Sequence, residues 1–163
     1  VDLEWVYPYK SKNEKIDMSD FIEDTTNKYI EFINKISERF KEIYVMGLHL
    51  PSLEEEKMLH CINNYTSIKD ISSKAFIDSN LNPMKQIGSL KKRTEEIILF
   101  NKILSKKVNN INCKNSYYID ITEELLNKET RTCKENFIAN GDHHLKRNET
   151  GIIWYEKHLK SLF

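Results

Sequence analysis

The sequence predicts an α/β fold, a three-layer α/β/α arrangement around a parallel sheet, and three observations carry that expectation. Segments with helical spacing of apolar residues alternate with short apolar runs. The segments between those runs have the length of helical crossovers, which parallel strands require. The run from Ile43 to Met46 is apolar, as in a strand buried on both faces, and SYYIDI resembles it. At 163 residues and 39% apolar content the chain has the size and core material of one ordinary domain, so residues 1–163 are read as a single unit.

Taken in order, VDLEWV at the start reads as the tail of a strand, with further strands expected before it and the domain therefore incomplete at its N-terminus. Ser19 is placed to cap a helix over about residues 19–40, where Ile22, Tyr29, Ile33, Ile36 and Phe40 make an apolar stripe between charges such as Glu31, Lys35 and Glu38. Ile43 to Met46 is a buried strand ended by Gly47. Ser52 and Glu55 have capping-box spacing, so a short helix carrying Met58, Leu59 and Ile62 is expected just after Pro51. From Asn63 to Ser89 no period stands out. A second long helix covers LKKRTEEIILFNKILSKKV, with Ile97, Phe100, Leu104 and Val108 on one face. SYYIDI is the next strand, expected beside YVMGL and parallel to it. Thr122 is placed to cap a short helix, and TGIIWYEKHLKSLF closes the chain as a helix with Ile152, Tyr155, Leu159 and Leu162 as its stripe.

Charge narrows the partners. Twenty-five basic residues balance twenty-five acidic ones, so no net field gathers phosphate polymers or anionic membrane, and neither nucleic acid nor membrane is expected as a partner. No run approaches the roughly 20 apolar residues of a bilayer span. Cys61, Cys113 and Cys133 are odd in number, widely spaced and without a CxxC pair, which fits reduced thiols; a cytoplasmic location is expected, with secretion left open. Asn64-Tyr65-Thr66 and Asn148-Glu149-Thr150 match the glycosylation acceptor pattern, a frequent coincidence in an Asn-rich chain. Oligomeric state is not indicated.

Ligands of open parallel sheets meet the loops at the carboxyl ends of the strands. Those loops hold Asp2, Glu4, His49 and the segment from Asp120 onward. The densest chemistry lies in NGDHHLKRNETG, where Asp142, His143 and His144 precede the last helix, and an acid beside two imidazoles points to acid-base work. Asp142, His143 and His49 lack the spacing of a metal motif, so no metal and no cofactor is assigned. His60 and His158 fall inside helices, where solvated faces are the ordinary position.

These residues resemble, in order, the SGNH (GDSL-like) hydrolases, whose last helix is preceded by a short Asp-x-x-His-Leu motif; His144-Leu145 matches its end. Val1-Asp2 is similar to the second half of the Gly-Glu-Ile-Asp that one subgroup carries in place of Gly-x-Asn-Asp. The similarity continues through the Tyr29 helix, YVMGLHLPS, Arg93 followed by Phe100-Asn101, YYIDI and DHHL, nearly the whole chain. The resemblance implies a flavodoxin-like three-layer fold and an ester hydrolase acting on a small-molecule or carbohydrate ester, with acetyl a fitting acyl group. It implies His144 as general base and Asp142 as its orienting acid, two residues before His144 where the family has three. Asp2, His49 and His143 are then the candidates for substrate contact, with His144 rather than His143 expected to face the strand-end pocket.

The family's Gly-Asp-Ser nucleophile segment has no counterpart in the chain, and Ser11, Ser19 and Ser52 all follow the first matching segment. The chain is accordingly expected to be the C-terminal portion of the domain, with the nucleophile encoded before Val1. The competing function is an inactive SGNH-like binding or scaffold domain.

Overall fold

The computed structural model describes residues 18–64, 88–110, 115–139 and 144–160. It is a mixed helix and strand structure with one parallel strand pair at its centre.

Helix α1 spans Met18–Ile36, with Asp20 in its first turn and Lys35 in its last, the charge order that complements the helix dipole. Its buried positions are Ile22, Thr26 and Ile33, and the tight turn Ser37–Arg39 follows it. The expected stripe is corrected at two places. Phe40 lies beyond the helix in extended backbone, where helical phase no longer applies, and is exposed. Tyr29 is also 39% exposed, and Thr26 takes the inward position, its hydroxyl donating to the Ile22 carbonyl at 2.8 Å.

Helix α1 packs on a second long helix, Leu90–Asn110, here α3. On α3 the periodicity holds as expected, since Ile97, Phe100, Leu104 and Val108 are all buried. Fully burying one such side chain stabilises by about 1.5–3 kcal/mol, which makes this face the main apolar support of the described structure. At its rim Lys107 donates from α3 to the Thr26 hydroxyl at 2.8 Å and to Asn27 Oδ1 at 2.6 Å, and pairs with the Glu23 carboxylate at 2.7 Å.

Strands β1 (Ile43–Met46) and β2 (Ser116–Ile119) pair in parallel, with Ile43 opposite Ser116 and Met46 opposite Ile119. The two runs are therefore the parallel neighbours that the sequence predicts. Asn115 aligns their starts: its amide donates to the carbonyls of Ser37 at 3.0 Å and Phe40 at 2.8 Å, while its own carbonyl accepts from the Ile43 N–H. Helix α3 covers β2. The expectation of burial on both faces is corrected, because Met46 is 52% and Tyr117 44% exposed. Among the described residues, the face that carries the stacked Tyr44 and Tyr117 rings is only partly covered.

Helix α2 covers Glu55–Asn64, beginning later than its capping-box pattern predicts. The carbonyl of Glu54, not that of Ser52, accepts the first helical bond, from the Met58 N–H, and Ser52 is itself buried. Buried Arg93 ties this region to α3, donating Nε–H to the Gly88 carbonyl at 2.9 Å and Nη2–H to the Leu53 carbonyl. After β2 come a single turn α4 (Thr122–Leu125) and a small antiparallel ribbon of β3 (Leu126–Asn127) with β4 (Thr132–Cys133). The sequence reading did not foresee this ribbon. Its turn is organised by Asn127, whose side-chain oxygen accepts from the Glu129 N–H at 2.9 Å.

The described residues end in helix α5 (Arg147–Trp154), which continues as a wider π turn over Tyr155–Leu159. Here the predicted stripe is wrong: Ile152 is 58% and Tyr155 50% exposed, whereas Thr150 and Trp154 are buried. The residues facing inward follow the four-residue step Thr150, Trp154, His158 instead. Leu162, the last member of the expected stripe, and VDLEWV lie outside the described residues. No described helix is long and apolar enough to cross a membrane.

Candidate functional site

The carboxyl ends of β1 and β2 lie side by side and are joined by a polar network built from four segments. Gly47 follows β1 and bonds back to β2 through its N–H to the Ile119 carbonyl at 2.9 Å. A Cβ at this position would stand 2.4 Å from the Tyr118 hydroxyl and 2.8 Å from Asp120 Cβ, so only glycine lets the two strand ends approach this closely.

Asn101, buried on α3, then holds both ends at once. Its Oδ1 accepts from the Leu48 N–H at 2.8 Å, and its Nδ2 donates to the Leu48 carbonyl at 2.8 Å and to the Thr122 hydroxyl at 2.9 Å. Continuing strand pairing with a side-chain amide satisfies backbone groups that the end of the sheet leaves over. Thr122 thus serves the network rather than capping α4.

Asp120 follows β2. Its carboxylate accepts from the Tyr118 hydroxyl at 2.8 Å and from the Thr122 N–H at 3.2 Å. Burial above all, and then the bond and the charge of Asp120, push the Tyr118 phenol far above its ordinary pKa, so it remains a neutral donor. The Asp120 carbonyl, which can only accept, lies 2.7 Å from His158 Nε2, which fixes a proton on that nitrogen.

Trp154, one turn earlier, is 8% exposed and neighbours two imidazoles. Its ring centroid is 5.3 Å from that of His158 and 6.0 Å from that of His49. The indole Nε1–H donates to His49 Nε2 at 3.1 Å, joining the end of β1 to the last helix. Loss of hydration holds the His49 imidazole below the usual histidine pKa, although part of the residue stays in contact with solvent. A Lys157–Glu124 pair at 2.6 Å fastens the π turn to α4. Burial raises the Glu124 carboxyl, but the Lys157 bond, its own backbone N–H and the Lys157 and His158 charges outweigh it, and the net shift is downward.

Of the residues singled out in the sequence, His49 belongs to this cluster through its bond from Trp154. His144 is exposed, in the loop that leads to α5. That loop is anchored immediately after it by buried Leu145, bridged to Ile138, and by the Lys146 N–H on the Phe137 carbonyl at 2.8 Å. Asp2, Asp142 and His143 lie outside the described residues. The reading of His158 as a solvated helix residue is corrected: it is half-buried, bonded to Asp120 and packed on Trp154. Trp154 was missed with it, although Thr150, Trp154 and His158 at four-residue spacing were a visible sign of an inward polar-aromatic face. Among the described residues no three His, Cys, Asp or Glu side chains gather as a metal-ligand set. Cys133 is buried, and burial raises its thiol pKa to about 11, which leaves it unreactive at neutral pH.

No family model matches the chain, and no curated protein or solved structure matches it.

Proposed function

We propose that the chain is the histidine-bearing part of an SGNH-type ester hydrolase, a three-layer α/β/α domain that removes a small acyl group, acetyl on a carbohydrate being the substrate class that fits best. One observation carries this function: two neighbouring parallel strands end in a polar cluster that the last helix closes, and His144 stands in the loop before that helix. Parallel sheets bind ligands at such ends.

In this proposal the attacking serine belongs to the segment that the resemblance puts before Val1. Its hydroxyl oxygen adds to the acyl carbonyl carbon while His144 takes the hydroxyl proton, and Asp142 orients the imidazole. The tetrahedral intermediate collapses, His144 returns the proton to the departing alkoxide, and the alcohol leaves. Water then releases the acid from the acyl-enzyme by the same two steps. Asp2, His49 and His143 contact the substrate. A cytoplasmic location belongs to the same proposal and is supported by the free, buried thiol of Cys133.

The test uses the natural full-length protein with a fluorophosphonate probe and an acetyl ester of an activated phenol. Covalent labelling of a serine is expected, together with turnover that His144→Ala lowers by orders of magnitude at unchanged folded content. Neither labelling nor turnover would end the hydrolase proposal in favour of the binding or scaffold domain. A greater loss in His143→Ala than in His144→Ala would move the base to His143.

A further inference from the structure

We propose that His49 is a neutral hydrogen-bond donor of the strand-end site, its Nε2 committed to Trp154 and its Nδ1–H presented to an acyl or carboxylate oxygen of the ligand. The substrate role rests on the hydrolase proposal above; the proton placement does not.

The geometry leaves little freedom. An indole N–H has no acceptor capacity, so at 3.1 Å from His49 Nε2 it can only donate, and Nε2 must offer its lone pair. A neutral imidazole with an accepting Nε2 carries its proton on Nδ1. A doubly protonated ring would set two N–H groups against each other, next to a tryptophan that is nearly withdrawn from water. The two ring nitrogens diverge, so an Nε2 edge turned onto Trp154 directs Nδ1–H away from it. His49 as a whole is an exposed residue, and in this proposal the Nδ1 edge is the part of the ring that a ligand reaches.

The support behind the ring is rigid. Trp154 also lies against His158, which is itself bonded to the Asp120 carbonyl. Leu48, the neighbour of His49, has both backbone groups bonded to Asn101. A donor fixed in advance by such a shell pays no reorganisation when an oxygen gains negative charge, which is where donors contribute most. A neutral imidazole also stays a donor without becoming a competing acid.

Two substitutions separate the donor from its structural bond. The side-chain oxygen of Gln reaches the position of Nε2, so His49→Gln keeps an acceptor for Trp154 and loses the Nδ1 donor. Asn places an N–H near the position of Nδ1, so His49→Asn keeps the donor and loses the Trp154 bond. In the full-length protein, turnover of the acetyl ester is expected to fall about 10- to 100-fold in His49→Gln and much less in His49→Asn. A purely structural histidine gives the opposite order, and that order overturns the donor role.

Nitrogen NMR of the imidazole provides a readout independent of turnover. Proton attachment to Nδ1 of His49 is expected, lost to a mixture of tautomers in Trp154→Phe, and acetate used as a product-like probe is expected to shift the Nδ1 resonance. A proton on Nε2 overturns the proposal outright, and an Nδ1–H indifferent to acetate overturns its ligand contact. Nδ1–H that responds to acetate, in a protein without ester turnover, would remove the hydrolase proposal and keep the donor.

Discussion

The α1–α3 interface and the strand-end cluster hold the same molecule together by different physics. Between the helices, Ile22 and Ile33 meet a face of Ile97, Leu104 and Val108, and stability scales with apolar area removed from water. At the strand ends the contacts are directional: Asn101 to Leu48 and Thr122, Tyr118 to Asp120, Trp154 to His49. Net stabilisation per hydrogen bond is only about 1 kcal/mol, but a buried partner left unmade costs about 1–3 kcal/mol. The first region is tolerant of chemistry and sensitive to volume. The second is sensitive to chemistry, so it fixes positions more than it adds stability.

Substitutions can break that contrast, and the largest effect belongs to the helix interface. Leu104→Ala is expected to cost about 3–5 kcal/mol in urea unfolding with an unchanged m value, whereas Leu104→Met should cost less than about 1.5 kcal/mol. Equal costs for the two would mean that the interface is not governed by volume. At the strand ends, Asn101→Leu keeps the branched outline with bulkier methyl groups and removes three hydrogen bonds, leaving Leu48 backbone groups unpaired. A loss of about 2–3 kcal/mol is expected, and a loss within 0.5 kcal/mol, roughly the scatter of surface substitutions, would show the network to be dispensable. Gly47→Ala should cost about 1–3 kcal/mol by pushing its new methyl into Tyr118 and Asp120, and its signature should be altered near-ultraviolet dichroism from the displaced tyrosine.

The smallest effect is the one with a definite sign. His49 has a folded pKa below its unfolded value of about 6.5, so within that window the unfolded chain binds more protons. Its contribution is complete above about 6.5 and is lost as pH falls towards the folded pKa. Comparing urea midpoints at about pH 7.5 and about pH 5.5, the wild type should lose more than His49→Gln, which carries no proton in that range. Identical losses would assign the pH dependence to other groups.

The same contrast decides what was legible in the sequence. Ile97, Phe100, Leu104 and Val108 announce their face because a helix repeats its inward direction within a few residues, and Ile43 to Met46 announces a strand in the same local way. The parallel pairing followed from the helix between the runs. The network did not, because Asn101 meets Leu48 across 53 residues and Trp154 meets His49 across 105, and no local period encodes such pairs. Asn101 stands out only as part of a family-like segment, and His49 only by its place after a strand. The last helix hides its inward face from the sequence because its apolar residues Ile152 and Tyr155 face out while Trp154 turns in.

The π turn over Tyr155–Leu159 gives this last helix an unequal tolerance to changes in length. In an α-helix a residue four positions on stands about 40° past a full turn, and the wider i to i+5 loop takes up part of that angle between Trp154 and His158. Removing one residue from the loop would leave a regular, stable helix, yet it would rotate His158 away from the Asp120 carbonyl and withdraw the ring that backs Trp154. Among descendants of this chain, an aligned gap at 155–159 would therefore mark loss of the strand-end arrangement even where tryptophan and histidine both persist.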